Sequence, residues 1–164
     1  MKVVAVLLLL ALSLATGCGG RTTIPASAQT AASGGWNAQL LGGAGEGSGL
    51  SFTTQFTVNG DGSLSVTFFQ FLTEGLCFTA TGEAPTGTMD LTLNNANQQV
   101  IGTFTFTVQS SGNTLTMNGQ VTGTESGTTL SSGTITGNWT LTSGTPACNG
   151  TSGNFTMTET AITT

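Results

Sequence analysis

The chain contains no histidine and no tyrosine, and its two cations, Lys2 and Arg21, both fall within the first 21 of 164 residues. Each absence removes a class of activity. Without histidine the usual general base and the commonest metal ligand are gone. A Ser-His-Asp triad is therefore out of reach, and no G-x-S-x-G elbow is present. Nucleic-acid backbones and phosphorylated metabolites are gripped by arginine and lysine, so no nucleic-acid partner is expected. Charged residues make up 5% of the chain and the formal net charge is −5. Disorder would need low hydrophobicity together with high net charge, whereas 37% of the residues are hydrophobic and they are patterned. No cofactor and no metal set is expected.

The one long apolar run is at the start. Lys2, the stretch Val3–Leu14 and the small residues behind it have the three parts of an export signal over residues 1–17. The run is shorter than the roughly 20 apolar residues that span a bilayer. It ends in Ala15-Thr16-Gly17-Cys18, with Ala15 where leucine is commonest. This stretch resembles the lipobox of bacterial lipoproteins. The resemblance implies that Cys18 becomes the first mature residue and carries acyl chains such as palmitate. It also implies an exported protein anchored through lipid to the cell envelope, with the outer membrane favoured by the absence of Asp at position 19. Residues 18–33 then read as the lipidated cysteine and a flexible tether, small and polar with one proline. Residues 34–164 form one domain, long enough for a real core and too short for two.

From Trp36 onward, apolar residues recur at every second position between Thr, Ser, Asn and Gln, the signature of strands buried on one face. Examples are Phe56 and Val58, Leu64 and Val66, Val100 to Val108, Leu115 to Val121, Ile135 to Leu141, and Phe155 with Met157. No helix is expected after the signal. Turn residues fall at 59–62, 73–75, 82–87, 94–97 and 110–113, with longer loops at 123–133 and 143–153. The reading is an all-β, antiparallel meander of nine or ten strands, closed or partly open as a barrel; the alternative is a two-sheet sandwich. The run Phe68-Phe69-Gln70-Phe71-Leu72 breaks the alternation, which implies a bulge or, as preferred, a strand covered on both faces. A transmembrane barrel is disfavoured, because it would carry aromatic girdles and would make an acylated cysteine redundant.

If Cys18 is lipidated, Cys77 and Cys148 are left to each other in an oxidising compartment, and a disulfide is expected. Gly34-Gly35-Trp36 is similar to the G-x-W that opens lipocalins, which carry apolar ligands inside small barrels. By parity Trp36, Phe56, Phe104, Phe106 and Trp139 would line such an interior. The rival expectation is a solid core, with the Thr-rich outside or the loops meeting an envelope protein or glycan. The threonine ranks resemble ice-binding surfaces, but their spacing is irregular and they read as ordinary solvent-facing threonine. Asn59-Gly60-Asp61-Gly62-Ser63 has a hint of a calcium loop, yet Gln70 stands where the distal Glu belongs, so a hairpin turn is expected. The carboxylates Asp61, Glu74, Glu83, Asp90, Glu125 and Glu159 lie in or near turns. A hydrolase would need two of them to converge; a non-enzymatic binding or structural module is expected.

Overall fold

In-out alternation becomes a continuous ladder of strands. The computed structural model describes residues 23–42, 49–73, 83–110, 112–144, 146 and 149–160. A short helix, α1 (Ala26–Ala32), precedes β1 (Gly34–Leu41), β2 (Ser51–Val58), β3 (Leu64–Phe71), β4 (Ala84–Asn94), β5 (Gln99–Ser110), β6 (Asn113–Ser126), β7 (Thr129–Ser143) and β8 (Ser152–Thr160). The eight strands form one sheet in the order β3-β2-β1-β8-β7-β6-β5-β4. Every ladder is antiparallel, and the first strand pairs with the last, Ala38 opposite Met157. The meander is therefore a partly open barrel and not a two-sheet sandwich. Its seam lies between β3 and β4, which meet at one end through the bridge Ser63–Thr88 and the bond from Met89 N–H to the Gly62 carbonyl (2.7 Å).

The inward positions hold large rings, and the neighbouring strands make room for them with glycine. Phe106 faces Gly87, Phe104 faces Gly119 and Trp139 faces Gly153 in register. A methyl group on Gly119 would lie 2.8 Å from the Phe155 ring and 2.7 Å from the Thr136 carbonyl oxygen; one on Gly153 would meet the Trp139 indole nitrogen at 2.8 Å. Alternation of large and small residues is how a small barrel fills its interior without gaps.

Several expectations need correction. The segment read as a flexible tether contains α1, with Ala28, Ala31 and Ala32 fully buried, so the folded part begins before residue 34. Alanines at i, i+3 and i+4 give the helix one narrow apolar stripe, and that stripe packs on one end of the barrel. The expected loop at 123–133 is two long strands joined at Gly127 and Thr128. Gly123 and Gly133 both lie against the Leu130 side chain, which covers them. Residues 84–87, expected to turn, belong to β4; Pro85 is tolerated because β4 is an edge strand. Eight strands replace the expected nine or ten among the described residues.

The break at 68–72 is the bulge, not a strand covered on both faces. Gln55 pairs with Phe68 but Phe56 pairs with Val66, leaving Thr67 over. Beyond the bulge the parity flips, so Phe71 is buried while Phe68 is 44% exposed and Leu72 58% exposed. The turns at 59–62, 94–97 and 110–113 stand where expected.

Gly119→Ala is expected to destabilise the fold by about 1–3 kcal/mol through overpacking. Gly144→Ala, with nothing within 4 Å of the added carbon, is expected to leave the urea midpoint unchanged. Equal midpoints for the two variants would remove the ring-on-glycine account.

Candidate functional site

The five residues assigned to an apolar lining all reach the interior, each 0–1% exposed. Four of them, all but Trp139, meet one another there. Trp36 stacks on Phe56 at 6.2 Å between ring centres, Phe56 lies 6.4 Å from Phe104, and Phe104 lies 5.7 Å from Phe106. Phe52 and Phe69 extend the cluster toward the seam, 6.0 Å and 6.1 Å from Phe106. Rings at such separations are in contact. Trp36 donates its indole N–H to the Ala32 carbonyl beneath α1 (3.2 Å), and Trp139 donates to the Leu41 carbonyl at the opposite end (3.3 Å).

Concavity lies instead at the seam. The β2–β3 connection closes on itself: Asn59 N–H and Gly62 N–H bond the Ser63 and Asn59 carbonyls, each at 2.9 Å. Asp61 Oδ1 accepts from the Ser63 N–H (2.9 Å) and hydroxyl (2.7 Å). This is the expected hairpin turn, with Gly62 at φ +85° where only glycine sits without strain. A cleft of about 560 Å³ opens between this turn, β4 and the segment leading into α1. Ile24 and Met89, both buried, supply its apolar part; Asp61, Asp90, Thr88 and Thr103 supply oxygens. The volume is within the range of small-molecule sites. Ile24, Thr88, Met89 and Thr103 carried no site signal in the sequence, because the cleft is assembled from four separated segments. The Ile24-Pro25 pair ahead of three spaced alanines was the available hint that the N-terminal segment docks.

The six candidate carboxylates divide by location. Asp61 and Asp90 share the seam cleft. Glu125 and Glu159 both approach Leu130 near the same end of the barrel: Glu125 is its register partner, and Glu159 Oε2 accepts the Leu130 N–H at 3.0 Å. One Glu125 oxygen, Oε2, is buried with no hydrogen-bond partner among the described residues. Glu159 also borders a second concavity of about 400 Å³, beside Ser132 at φ +55° in the irregular stretch of the β6–β7 ladder. Glu83 precedes β4 at the far end. Glu74, Cys18, Cys77 and Cys148 lie outside the described residues.

The strands that flank the cysteines are described. β3 ends, β4 begins, β7 ends and β8 begins at the end of the barrel away from α1. The connections containing Cys77 and Cys148 thus leave from the same end, four strands apart around the ring. The sequence matches no protein-family model and no curated protein.

Burial holds the Glu159 carboxyl above the usual glutamate range, an effect partly offset by the bond from Leu130. A carboxyl that binds its proton more tightly in the folded state stabilises the fold most below its unfolded value and loses that contribution as pH rises through the folded one. Glu159→Gln keeps an oxygen acceptor and removes the titration. In thermal melts from about pH 4 to about pH 7, the variant is expected to gain stability relative to the parent as pH rises. A pH-independent difference would exclude Glu159 as the source.

Proposed function

We propose that this chain is a lipid-anchored envelope protein whose barrel serves as a non-enzymatic binding module, with the seam cleft as its ligand site. The observation that carries this reading is the cleft itself, an apolar floor of Ile24 and Met89 rimmed by hydroxyls and carboxylates. The contact among the interior rings supports a solid core, so the ligand is placed at the seam and not inside. No lysine or arginine follows Arg21, so the cleft suits a ligand that is uncharged or carries an amine, with a small apolar part. The anchor rests on the lipobox-like Ala15-Thr16-Gly17-Cys18, and a Cys77–Cys148 disulfide fits connections that leave from one end of the barrel. Such a bridge would close a loop of about 70 residues, worth roughly 4 kcal/mol in the chain-entropy model.

Native mass spectrometry of residues 19–164 after incubation with a metabolite and lipid extract of the producing cell tests the cleft. A one-to-one adduct lost in Thr103→Trp, which fills the cleft, is expected; an adduct that survives this substitution would move the site elsewhere. The same spectrum is expected to show a mass two hydrogens below the reduced chain. Full reduced mass under non-reducing conditions would exclude the Cys77–Cys148 bridge.

A second reading is favoured by one observation, that Asp61 and Asp90 border one cleft. A carboxylate pair is the minimum equipment of a glycoside hydrolase. Against it, Asp61 Oδ1 is engaged by Ser63 in holding the turn. Turnover of a glycan substrate abolished by Asp90→Asn would establish the hydrolase.

A further inference from the structure

Segment Ile24–Ser33 is fixed to the barrel at several points. Ile24 is buried at one side of the seam cleft, and the Gln29 side chain donates to its carbonyl (2.6 Å). Ala28, Ala31 and Ala32 are fully buried, and Trp36 bonds the Ala32 carbonyl from below. At the helix end the Ser33 hydroxyl accepts the Val58 N–H (2.9 Å), pinning α1 to β2. Chain length then sets a limit that holds for any conformation of residues 19–23. Five residues separate Cys18 from Ile24, and a chain extends by at most about 3.6 Å per residue, so the cysteine reaches no more than about 20 Å from the point where Ile24 docks.

From this we infer that the barrel has a fixed polarity on the membrane. The end carrying α1 and the turns at 59–63, 95–98 and 127–128 faces the lipid surface, and the end carrying the connections after β1, β3 and β7 projects away. The inference rests on the lipid-anchor reading and adds an orientation to it. Strands of 8–15 residues at about 3.3 Å per residue, tilted by roughly 40°, separate the two ends by about 30 Å. That separation exceeds the tether's reach, so the barrel cannot stand on its far end while Cys18 is inserted. Charge does not hold the near end down: Asp61, Asp90, Glu125 and Glu159 all lie toward it, and the last cation is Arg21. Anionic headgroups repel such a surface, so the tether alone sets the geometry. One consequence is that the seam cleft opens within the tether's reach of the lipid surface, where its ligand would be a headgroup-sized molecule or one delivered along the membrane.

The acylated full-length protein, reconstituted in vesicles of phosphatidylethanolamine and phosphatidylglycerol with a headgroup-linked acceptor dye, tests the orientation. A donor is attached through an azide-bearing residue at Asn95, Thr128 or Asn149, all exposed, so that no new cysteine is introduced. Transfer from positions 95 and 128 is expected to exceed that from 149 at least about twofold, given ends about 30 Å apart. Inserting about 20 Gly/Ser residues between Gly20 and Arg21 is expected to erase the difference. Equal transfer from all three positions, or a reversed order, in protein that floats with the vesicles would overturn the orientation while leaving the anchor standing. Protein that fails to float, or a Cys18→Ser variant that floats equally well, would overturn the anchor and the orientation with it.

Discussion

The fold depends on how large aromatic rings are accommodated inside a small barrel. An eight-stranded barrel has an interior just wide enough for its own side chains, and here that interior receives two tryptophans and a cluster of phenylalanines. Glycines at 87, 119 and 153 face those rings across the ladders, so a ring can lie flat where a second side chain would collide. The same glycines thus serve both the packing of the rings and the close approach of the strands.

The period-2 pattern carried the architecture because inward positions are apolar or glycine, Thr54 and Ser110 apart, and outward ones are mostly polar, with Ile101 an exception. Val100 to Val108 and Ile135 to Leu141 read directly into β5 and β7, Gly102 and Gly137 included. Glycine and serine occupy strand positions where the pattern alone implies loop. Between 123 and 133 only Leu130 is apolar, yet one leucine covering Gly123 and Gly133 extends both strands. Nor does the pattern imply α1, whose seven residues are too few to be helical alone and owe their helix to burial of three alanines. The interior aromatic set was legible from parity. The seam cleft was not, because Ile24, Asp61 and Met89 come together only when the last gap in the ring is closed.

Two departures from the expected pattern have one cause. The seam leaves β3 and β4 as edges, and an exposed edge invites pairing with another chain. β3 carries no charged residue and exposes Phe68, so it lacks the common electrostatic protection. What it has is the bulge at Thr67, which twists the edge; across the seam, Pro85 removes a donor from β4. Both features looked like interruptions of strands when read along the chain. Around the ring they sit where, among the described residues, the sheet is not continuous. The hydroxyl and amide outer face, by contrast, satisfies itself across strands, as in Thr105 to Asn118 (3.2 Å) and Thr53 to Asn37 (2.9 Å).

The N-terminal segment ties the seam to whatever holds the chain's start. Ile24 is at once a wall of the cleft and the first buried residue among those described; its δ1 carbon would lie 3.7 Å from a methyl group on Gly62, and Gln29 lies beside Gly60 in the same turn. The turn in turn supplies the bridge that closes the top of the seam, through Ser63 and Gly62. Removing α1 would therefore unroof the barrel, take one wall from the cleft and loosen the contact between β3 and β4 together. A segment of small residues acts here as a structural keystone, because its position against the seam matters more than the few side chains it buries.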